Sequence, residues 1–233
     1  VEKLLEKKNV VFALVNYNSF GNIGWLRKLS LKNKRLKVIF GDLKDPDTFL
    51  DYLSKSDYVI NLASLISVPY SYSASKSYLE NNILGCHFLY SSCKKLKIKK
   101  IIHISSSEVY GTPKKLPITE HTIFNPQSPY AASKAAADFV AKSYFYSFNL
   151  PIIILRPFNN FGPKQSLRAV IPTIIDQALE GREIKLGKVS TKRDFLYVSD
   201  TVEAILKTIK INKDLFGEEI NLGTNYTFEV NEI

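Results

Sequence analysis

Short apolar runs alternate with longer amphipathic stretches along most of the chain. The runs are rich in β-branched residues, which predicts buried strands at 10–15, 37–40, 58–63, 100–105 and 151–155. Helices are predicted between them, at about 46–55, 75–96 and 129–148. Pro46 and Pro129 stand at the favoured first position of the first and the third of these helices, and Ser128 can cap the third. Buried strands that alternate with helices predict an α/β fold with a Rossmann-like, doubly wound parallel sheet.

The alternation loosens after Arg156. Short strands are predicted near 183–186 and 220–222, and helices near 170–179 and 199–209. We expect residues 1–165 to form the sheet domain and residues 166–233 to form part of a small lobe that is interleaved with the end of the sheet.

Both ends of the chain read as interrupted helices. Residues 1–8 resemble the last turns of a helix, and residues 228–233 resemble the start of one. We therefore expect the first strand of the sheet, and the glycine-rich phosphate loop that follows such a strand, to be missing from the chain.

Charge and cysteine content narrow the class of protein. The formal net charge of +10 suggests nucleic-acid binding, but the densest lysine run, 94–100, lies where a helix ends, a place that cations favour. We therefore expect no nucleic-acid partner. Cys86 and Cys93 lie seven residues apart on one predicted helix, too far along its axis for a disulfide. With three scattered histidines we expect no metal site, and we expect a reducing, cytoplasmic location.

No apolar run approaches the roughly 20 residues of a membrane span, so we expect no membrane association.

Two motifs carry candidate chemistry. Ser106, Ser107 and Glu108 come directly after the fourth predicted strand. Tyr130 and Lys134 lie four residues apart in the first turns of the helix that follows, so they share one face of that helix. A Tyr-x-x-x-Lys pattern alone arises often by chance. Next to a serine and a carboxylate at the carboxyl end of a buried strand, it predicts an acid–base site.

A tyrosine with a pKa near 10 is a poor base at neutral pH. The ammonium group of Lys134 is expected to favour the phenolate of Tyr130. Lowering its pKa by about three units corresponds to roughly 4 kcal/mol, which would make Tyr130 a usable base toward a sugar or alcohol hydroxyl.

These motifs resemble the extended short-chain dehydrogenase/reductase family, which includes nucleotide-sugar epimerases and dehydratases, and the resemblance covers essentially the whole chain. It implies an NAD(P)-binding domain over 1–165 and a partial substrate-binding lobe over 166–233. The resemblance implies a cofactor site at Asp42, Leu43, Leu62, Ala63, Ser64, Tyr130, Lys134 and Pro157. It implies substrate-binding roles for Asn159, Arg168 and Arg193.

The cofactor implied by the resemblance is NAD or NADP, bound tightly and regenerated in each cycle. An acidic residue at the end of the second strand would favour NAD, and an arginine there would favour NADP. Val15, Asn16 and Tyr17 occupy that stretch, so the choice between the two stays open.

Glu108 distinguishes the subfamilies. Family epimerases usually carry a neutral residue there, whereas 4,6-dehydratases need a base that removes the C5 proton, and Ser107 can assist the departure of water. The stretches 17–20, 24–26, 68–72 and 165–172 resemble N-acetylglucosamine-nucleotide 4,6-dehydratases of legionaminic acid biosynthesis. We therefore expect a lyase that acts on UDP- or GDP-N-acetylglucosamine and gives a 4-keto-6-deoxy sugar.

Three alternatives stay open. UDP-glucuronate decarboxylases resemble the chain over 106–110, and a 4-epimerase would use the same oxidation at C4. A third alternative is an inactive fragment that only binds nucleotide or a partner subunit. The helices predicted at 75–96 and 129–148 resemble those that pair across the family's dimer, so we also expect a homodimer.

Overall fold

The computed structural model describes residues 1–211 and 213–233. Its strands are β1 Val11–Val15, β2 Leu36–Phe40, β3 Tyr58–Asn61, β4 Lys100–Ile104, β5 Ile152–Pro157, β6 Asn159–Phe161, β7 Lys192–Arg193, β8 Phe195–Tyr197, β9 Glu219–Leu222 and β10 Phe228–Glu229. Its α-helices are α1 Glu2–Glu6, α2 Leu26–Lys32, α3 Leu50–Leu53, α4 Val68–Ser73, α5 Ser75–Tyr78, α6 Gly85–Lys94, α7 Pro129–Phe148, α8 Val170–Leu179 and α9 Val198–Lys210.

Helical segments of other types connect these elements. A π-helical stretch, Leu79–Leu84, joins α5 to α6. Short 3-10 helices occupy Pro46–Thr48, Ser107–Tyr110, Lys213–Leu215 and Val230–Glu232.

The central strands run parallel, as predicted. Strands β3, β4, β5 and β9 form one sheet in that order, and β1 pairs with β2 in another. Within the described residues no ladder joins β1 to β3, although Leu14 and Val59 pack against the same core cluster. The Rossmann-like α/β prediction is therefore confirmed, with the parallel strands of the described residues divided among three sheets, the third formed by β6 and β8.

Helices cover both faces of the four-stranded sheet. Ile101, Ile152 and Ile154 pack on one side against residues of α6 and α7, while Ile153 packs on the other side against Ile205 of α9. This alternation in β4 and β5 is what a parallel sheet buried on both faces requires. The carboxyl ends of these strands are thereby held rigidly, and the candidate site lies there.

Several predicted elements differ from the structure. The strand predicted near 183–186 is wrong, since this segment is exposed and the Lys185 amide donates to Gln177 Oε1 at 2.6 Å instead of to a neighbouring strand. The helix start predicted over 228–233 begins two residues late, because Phe228 and Glu229 pair antiparallel with β7 and a 3-10 helix follows at Val230–Glu232. The boundary between domains at residue 165 stays a prediction, although β9 does join the sheet next to β5.

No helix in the described ranges is both long enough and apolar enough to cross a bilayer.

Candidate active site

The turn after β4 presents three candidate catalytic side chains. Ser106 caps the 3-10 helix Ser107–Tyr110, since its Oγ accepts a hydrogen bond from the Glu108 amide at 3.2 Å. Ser106, Ser107 and Glu108 are all partly buried. Gly111 ends the turn with φ +56°, and a Cβ there would lie 2.0 Å from the Asn125 carbonyl oxygen, so the turn requires glycine.

Helix α7 brings two further candidates to this turn. Ser128 caps the helix by accepting a hydrogen bond from the Ala131 amide at 3.1 Å. Tyr130 therefore lies in the first turn and Lys134 one turn later. The buried Lys134 ammonium donates to the Ile104 carbonyl oxygen at 2.7 Å, which ties α7 to the carboxyl end of β4. We call Ser106, Glu108, Tyr130 and Lys134 the catalytic edge.

The pKa of Tyr130 differs from the sequence expectation. Burial raises it, a hydrogen bond with Ser106 opposes that rise, and the negative charge of Glu108 adds to it. These residues alone therefore do not lower the Tyr130 pKa, and the expected phenolate stays a prediction. The physical reason is that burial dominates, while the Lys134 ammonium is engaged with a backbone carbonyl.

Sequence reasoning missed two residues beside Tyr130. The fully buried Tyr78 packs edge-on against the Tyr130 ring at 6.2 Å between centroids. Asn82, in the π-helical stretch, donates to Ser133 Oγ at 2.8 Å and accepts from the Leu65 amide at 2.8 Å. Asn82 thus fixes the segment after β3 against α7. The adjacent asparagines Asn81 and Asn82, poor helix formers inside a predicted helix, were the available signal.

The residues implied for the cofactor lie beyond the carboxyl ends of β2 and β3. Asp42 is partly buried and accepts from the Lys44 amide at 2.9 Å. Leu43 differs, because its side chain is buried in the core and leaves only its backbone for a ligand.

After β3, Leu62 is 64% exposed, Ala63 is exposed and Ser64 is partly buried. Pro157 is buried at the end of β5.

The residues implied for the substrate gather around one cavity of about 380 Å³. Its wall carries Asn159, Arg168, Lys185, Lys188 and Arg193. In the described part of the chain no carboxylate side chain lines it. We call this the cationic cavity, and its charge suits a ligand that carries phosphate groups.

No residue of the catalytic edge lines this cavity, but Arg168 of the cavity and Tyr78 beside Tyr130 link the two regions. The positive charge of Arg168 acts on Tyr78, where it opposes the rise in the Tyr78 pKa caused by burial. Tyr78 in turn packs on Tyr130. The structure therefore brings Arg168 toward the catalytic edge from a segment far away in sequence.

Sequence reasoning also missed Asp194, which organises one wall of the cationic cavity. Its buried carboxylate accepts from the Thr224 amide at 2.9 Å and from the Asn225 amide at 3.1 Å. Its backbone carbonyl accepts from Asn159 Nδ2 at 3.3 Å. Asp194 thus holds Asn159 beside the exposed Arg193.

A buried polar network lies beneath the catalytic edge. Asp138 of α7 accepts from Arg156 Nε at 2.9 Å and lies 3.2 Å from His103 Nε2. Burial alone would raise the pKa of Asp138, but contact with His103 and Arg156 lowers it overall. Burial opposes protonation of His103, yet its bond to Asp138 leaves its pKa raised. The negative charge of Asp138 is therefore balanced inside the protein by His103 and Arg156, beneath the catalytic edge.

Taken together, this sheet and the catalytic edge define a protein of the extended short-chain dehydrogenase/reductase class. The profile of the family described as "GDP-mannose 4,6 dehydratase" matches residues 1–233. The chain belongs to this family.

Individual relatives agree with this assignment. The chain is 34% identical over 240 residues to a dTDP-D-glucose 4,6-dehydratase of Dictyostelium discoideum, an alignment that covers 97% of this chain and 54% of that protein. It also resembles a solved dTDP-glucose 4,6-dehydratase of Streptomyces venezuelae with NAD bound, at a TM-score of 0.91 and 26% identity, covering 99% of this chain and 73% of that one.

A solved epimerase is similar as well. The UDP-N-acetylglucosamine 4-epimerase of Methanobrevibacter ruminantium superimposes with a TM-score of 0.86 at 35% identity, covering 96% of this chain and 72% of that one. The family therefore contains nucleotide-sugar dehydratases with epimerases as structural neighbours, and the chain spans 54% to 63% of the length of the first curated dehydratases it matches.

Proposed function

We propose that this protein is a nucleotide-sugar 4,6-dehydratase that works with a tightly bound NAD. The observation that carries the proposal is geometric: the turn that holds Glu108 packs against α7, the helix that bears Tyr130 and Lys134, and Lys134 Nζ donates to the Ile104 carbonyl oxygen at 2.7 Å, just before that turn. Oxidation and reduction at C4 need one proton-transfer group. Loss of water needs a second one at C5, and Glu108 supplies it beside the first.

The residues present fit a nicotinamide cofactor. The Lys134 ammonium has three N–H donors, and within the described residues one hydrogen bond, to Ile104, is formed. Leu62 and Ala63 leave an apolar surface open at the carboxyl end of β3, where such sheets bind ligands. Lys134 and Tyr130 would hold the nicotinamide half, and Asp42 with 62–64 would hold the adenosine half. The NAD bound in the Streptomyces venezuelae relative supports NAD over NADP.

The side chains of the catalytic edge divide the proton transfers between them. Bound NAD would supply the group that accepts and later gives back the sugar's hydride, so it would be regenerated in each cycle. Tyr130, as the phenolate that Lys134 and a bound cationic nicotinamide ring would favour, removes the proton of the C4 hydroxyl, which Ser106 orients. Glu108 removes the C5 proton that the C4 ketone acidifies, and this proton leaves with the C6 hydroxyl as water, assisted by Ser107. The proton taken up by Tyr130 passes to solvent and C5 takes one proton from solvent, so the net change is the loss of one water.

The cationic cavity would bind the nucleotide diphosphate. Arg193 carries a fixed charge that can bind two phosphate oxygens at once. Arg168 and Asn159 lie on the same wall. We propose UDP- or GDP-N-acetylglucosamine as substrate, which the resemblance of 17–20, 24–26, 68–72 and 165–172 to amino-sugar dehydratases supports, as does the 35% identity to an epimerase of UDP-N-acetylglucosamine.

Product masses test the proposal. The purified protein is incubated without added cofactor with a panel of nucleotide sugars, and products are analysed by mass spectrometry. Loss of one water from an N-acetylglucosamine nucleotide is the expected result. Loss of carbon dioxide from UDP-glucuronate would indicate a decarboxylase. Unchanged masses without retained NAD(P) would favour a protein that only binds nucleotide or a partner subunit.

Replacing Glu108 by glutamine tests its role separately. We expect Glu108→Gln to keep C4 oxidation, seen as reduced nicotinamide absorbance, and to lose water elimination by about 10²- to 10⁴-fold. Glu203→Gln, an exposed glutamate on α9 that pairs with Lys207 on the same helix, is the matched control. Normal product formation by Glu108→Gln would remove Glu108 from the mechanism.

A 4-epimerase is the second candidate, because the solved UDP-N-acetylglucosamine 4-epimerase is 35% identical to this chain. It would use Tyr130 and Lys134 in the same way without needing Glu108. Unchanged masses with bound NAD, together with inversion at C4 observed by NMR, would favour it.

We also propose that the protein is a homodimer that pairs through α6 and α7. Helix α7 leaves Phe139, Tyr146 and Phe148 exposed, and Leu84 is exposed in the π-helical stretch that leads into α6. Sedimentation should therefore give a dimer, and Phe139→Asp should shift it to a monomer. Leu31→Asp, an exposed position on α2, is the control. A monomer at every concentration of the unmodified protein would contradict this proposal.

A further inference from the structure

Tyr110 is a fully buried tyrosine at the end of the turn that carries Ser107 and Glu108. Its hydroxyl accepts a hydrogen bond from Arg156 Nη1 at 2.8 Å and donates one to Asn221 Oδ1 at 2.8 Å. Burial raises the pKa of Tyr110, so this hydroxyl keeps the proton that it donates to Asn221. Both hydrogen bonds reach strands of the central sheet, β5 and β9.

Arg156 connects this hydroxyl to the helix of Tyr130. The buried guanidinium donates to Asp138 Oδ2 at 2.9 Å and to Glu219 Oε1 at 3.2 Å. Asp138 follows Lys134 by one turn of α7 and Tyr130 by two, so it moves with both on one helix. A continuous set of buried bonds thus runs from α7 through Arg156 to the end of the Glu108 turn.

Packing restricts the same groups. The guanidinium carbon of Arg156 lies 5.4 Å from the Tyr110 ring centroid and 4.7 Å from that of Phe124. The Tyr110 and Phe124 rings meet edge to face at 5.8 Å. Since buried side chains in close-packed surroundings have few alternative positions, the Tyr110 hydroxyl has one well-defined location.

We propose that Tyr110 is a positioning residue, whose hydroxyl fixes the turn bearing Glu108 relative to the helix bearing Tyr130. This inference rests on the proposed dehydratase function for its catalytic consequence. Tyr110 does not touch the reacting atoms in this account, and it acts through the backbone of the turn. Removing its hydroxyl should therefore affect the step assigned to Glu108 more than the step assigned to Tyr130.

The test compares Tyr110→Phe with Tyr144→Phe. Tyr144 is also a buried tyrosine with a hydrogen-bonded hydroxyl, 3.1 Å from His87 Nδ1, but it lies far along α7 from the turn. Two steps are measured for each protein: reduction of bound NAD by substrate, and exchange of the C5 proton with deuterated solvent. Amide hydrogen exchange of residues 106–111 is measured without substrate.

We expect Tyr110→Phe to slow C5 exchange by about 10-fold, which corresponds to a rise of about 1.4 kcal/mol in the activation free energy of that step. The rate of NAD reduction should change by less than about 2-fold. Amide exchange over 106–111 should be faster in Tyr110→Phe and unchanged in Tyr144→Phe. Equal slowing of both steps, or equal behaviour of the two variants, would overturn the positioning role.

The two proposals can fail separately. If the unmodified protein eliminated no water from any nucleotide sugar, the proposed function would fail. Amide exchange over 106–111 would still decide whether Tyr110 fixes the turn, and an unchanged exchange rate in Tyr110→Phe would overturn that claim by itself.

Discussion

The catalytic edge and the cationic cavity are built in opposite ways. Side chains of the catalytic edge lie on buried strand and helix ends, and Lys134 is almost fully buried. The cationic cavity takes Arg168, Lys185 and Arg193 from exposed segments. Rigid surroundings suit proton transfer, because it needs fixed distances between the donor and the acceptor. Exposed cations suit attraction of a phosphate-bearing ligand, which acts over longer distances.

The two regions also differ in how charge is compensated. Beneath the catalytic edge, Asp138 is paired with both His103 and Arg156 inside the protein. Around the cationic cavity no carboxylate of the described residues lines the wall next to Arg168 and Arg193. Lys185 lies 3.6 Å from a Glu183 carboxylate oxygen, whereas Arg168 and Arg193 form no ion pair with a carboxylate of the described residues, so their charge is available to a ligand. The comparison therefore predicts that variants of the two regions change different kinetic parameters.

The largest effect is expected for Tyr130→Phe. Loss of the acid–base hydroxyl should lower kcat by about 10²- to 10⁴-fold, while the Kd of the nucleotide sugar changes little. Steady-state kinetics and calorimetry measure the two quantities. Tyr58→Phe, an exposed tyrosine at the start of β3, is the control and should behave like the unmodified protein. A large rise in the Kd of the nucleotide sugar in Tyr130→Phe would show that the two regions do not have separate roles in catalysis and binding.

A smaller effect of the opposite kind is expected for Arg193→Ala. Loss of a charged hydrogen-bonding group should weaken nucleotide-sugar binding by about 10- to 100-fold, equivalent to about 1.5–3 kcal/mol, with kcat nearly unchanged. Arg182→Ala is the control, since Arg182 pairs with Asp176 outside the cavity wall. An unchanged Kd, or a salt dependence equal to that of the control, would contradict the assignment of a phosphate-binding role to the cavity.

The smallest effect concerns pH and the buried network. His103 has a raised pKa in the folded protein, so its contribution to the free energy of unfolding is present below about pH 6.5 and is lost as pH rises through the folded pKa. Asp138 has a lowered pKa, so its contribution is present above about pH 4 and is lost as pH falls through the folded value.

Urea unfolding across this range checks the sign. The unmodified protein should lose stability above about pH 6.5 relative to His103→Gln, which has no titrating imidazole there. His121→Gln, an exposed histidine, is the control and should follow the unmodified protein. Parallel stability profiles for His103→Gln and the unmodified protein would show that His103 does not titrate in this way.

Local patterns were sufficient for the secondary structure that carries the site. The apolar runs predicted β4 and β5, and Ser128 with Pro129 predicted the start of α7. They failed at 183–186, where a pattern compatible with a strand has no partner strand to pair with. The polar segment at 107–110 gave no periodic signal, although it forms the turn that holds Glu108.

The sequence by itself determined the five strands β1 to β5 and helix α7, and with them the positions of Ser106, Glu108, Tyr130 and Lys134 at their ends. These follow from periodicity and capping, which depend on neighbours along the chain. The tertiary structure alone decided that Lys134 bonds to the Ile104 carbonyl, that burial raises the Tyr130 pKa, and that Arg156 joins Tyr110 to Asp138. Those properties depend on burial and on distances between segments remote in sequence, which no local pattern encodes.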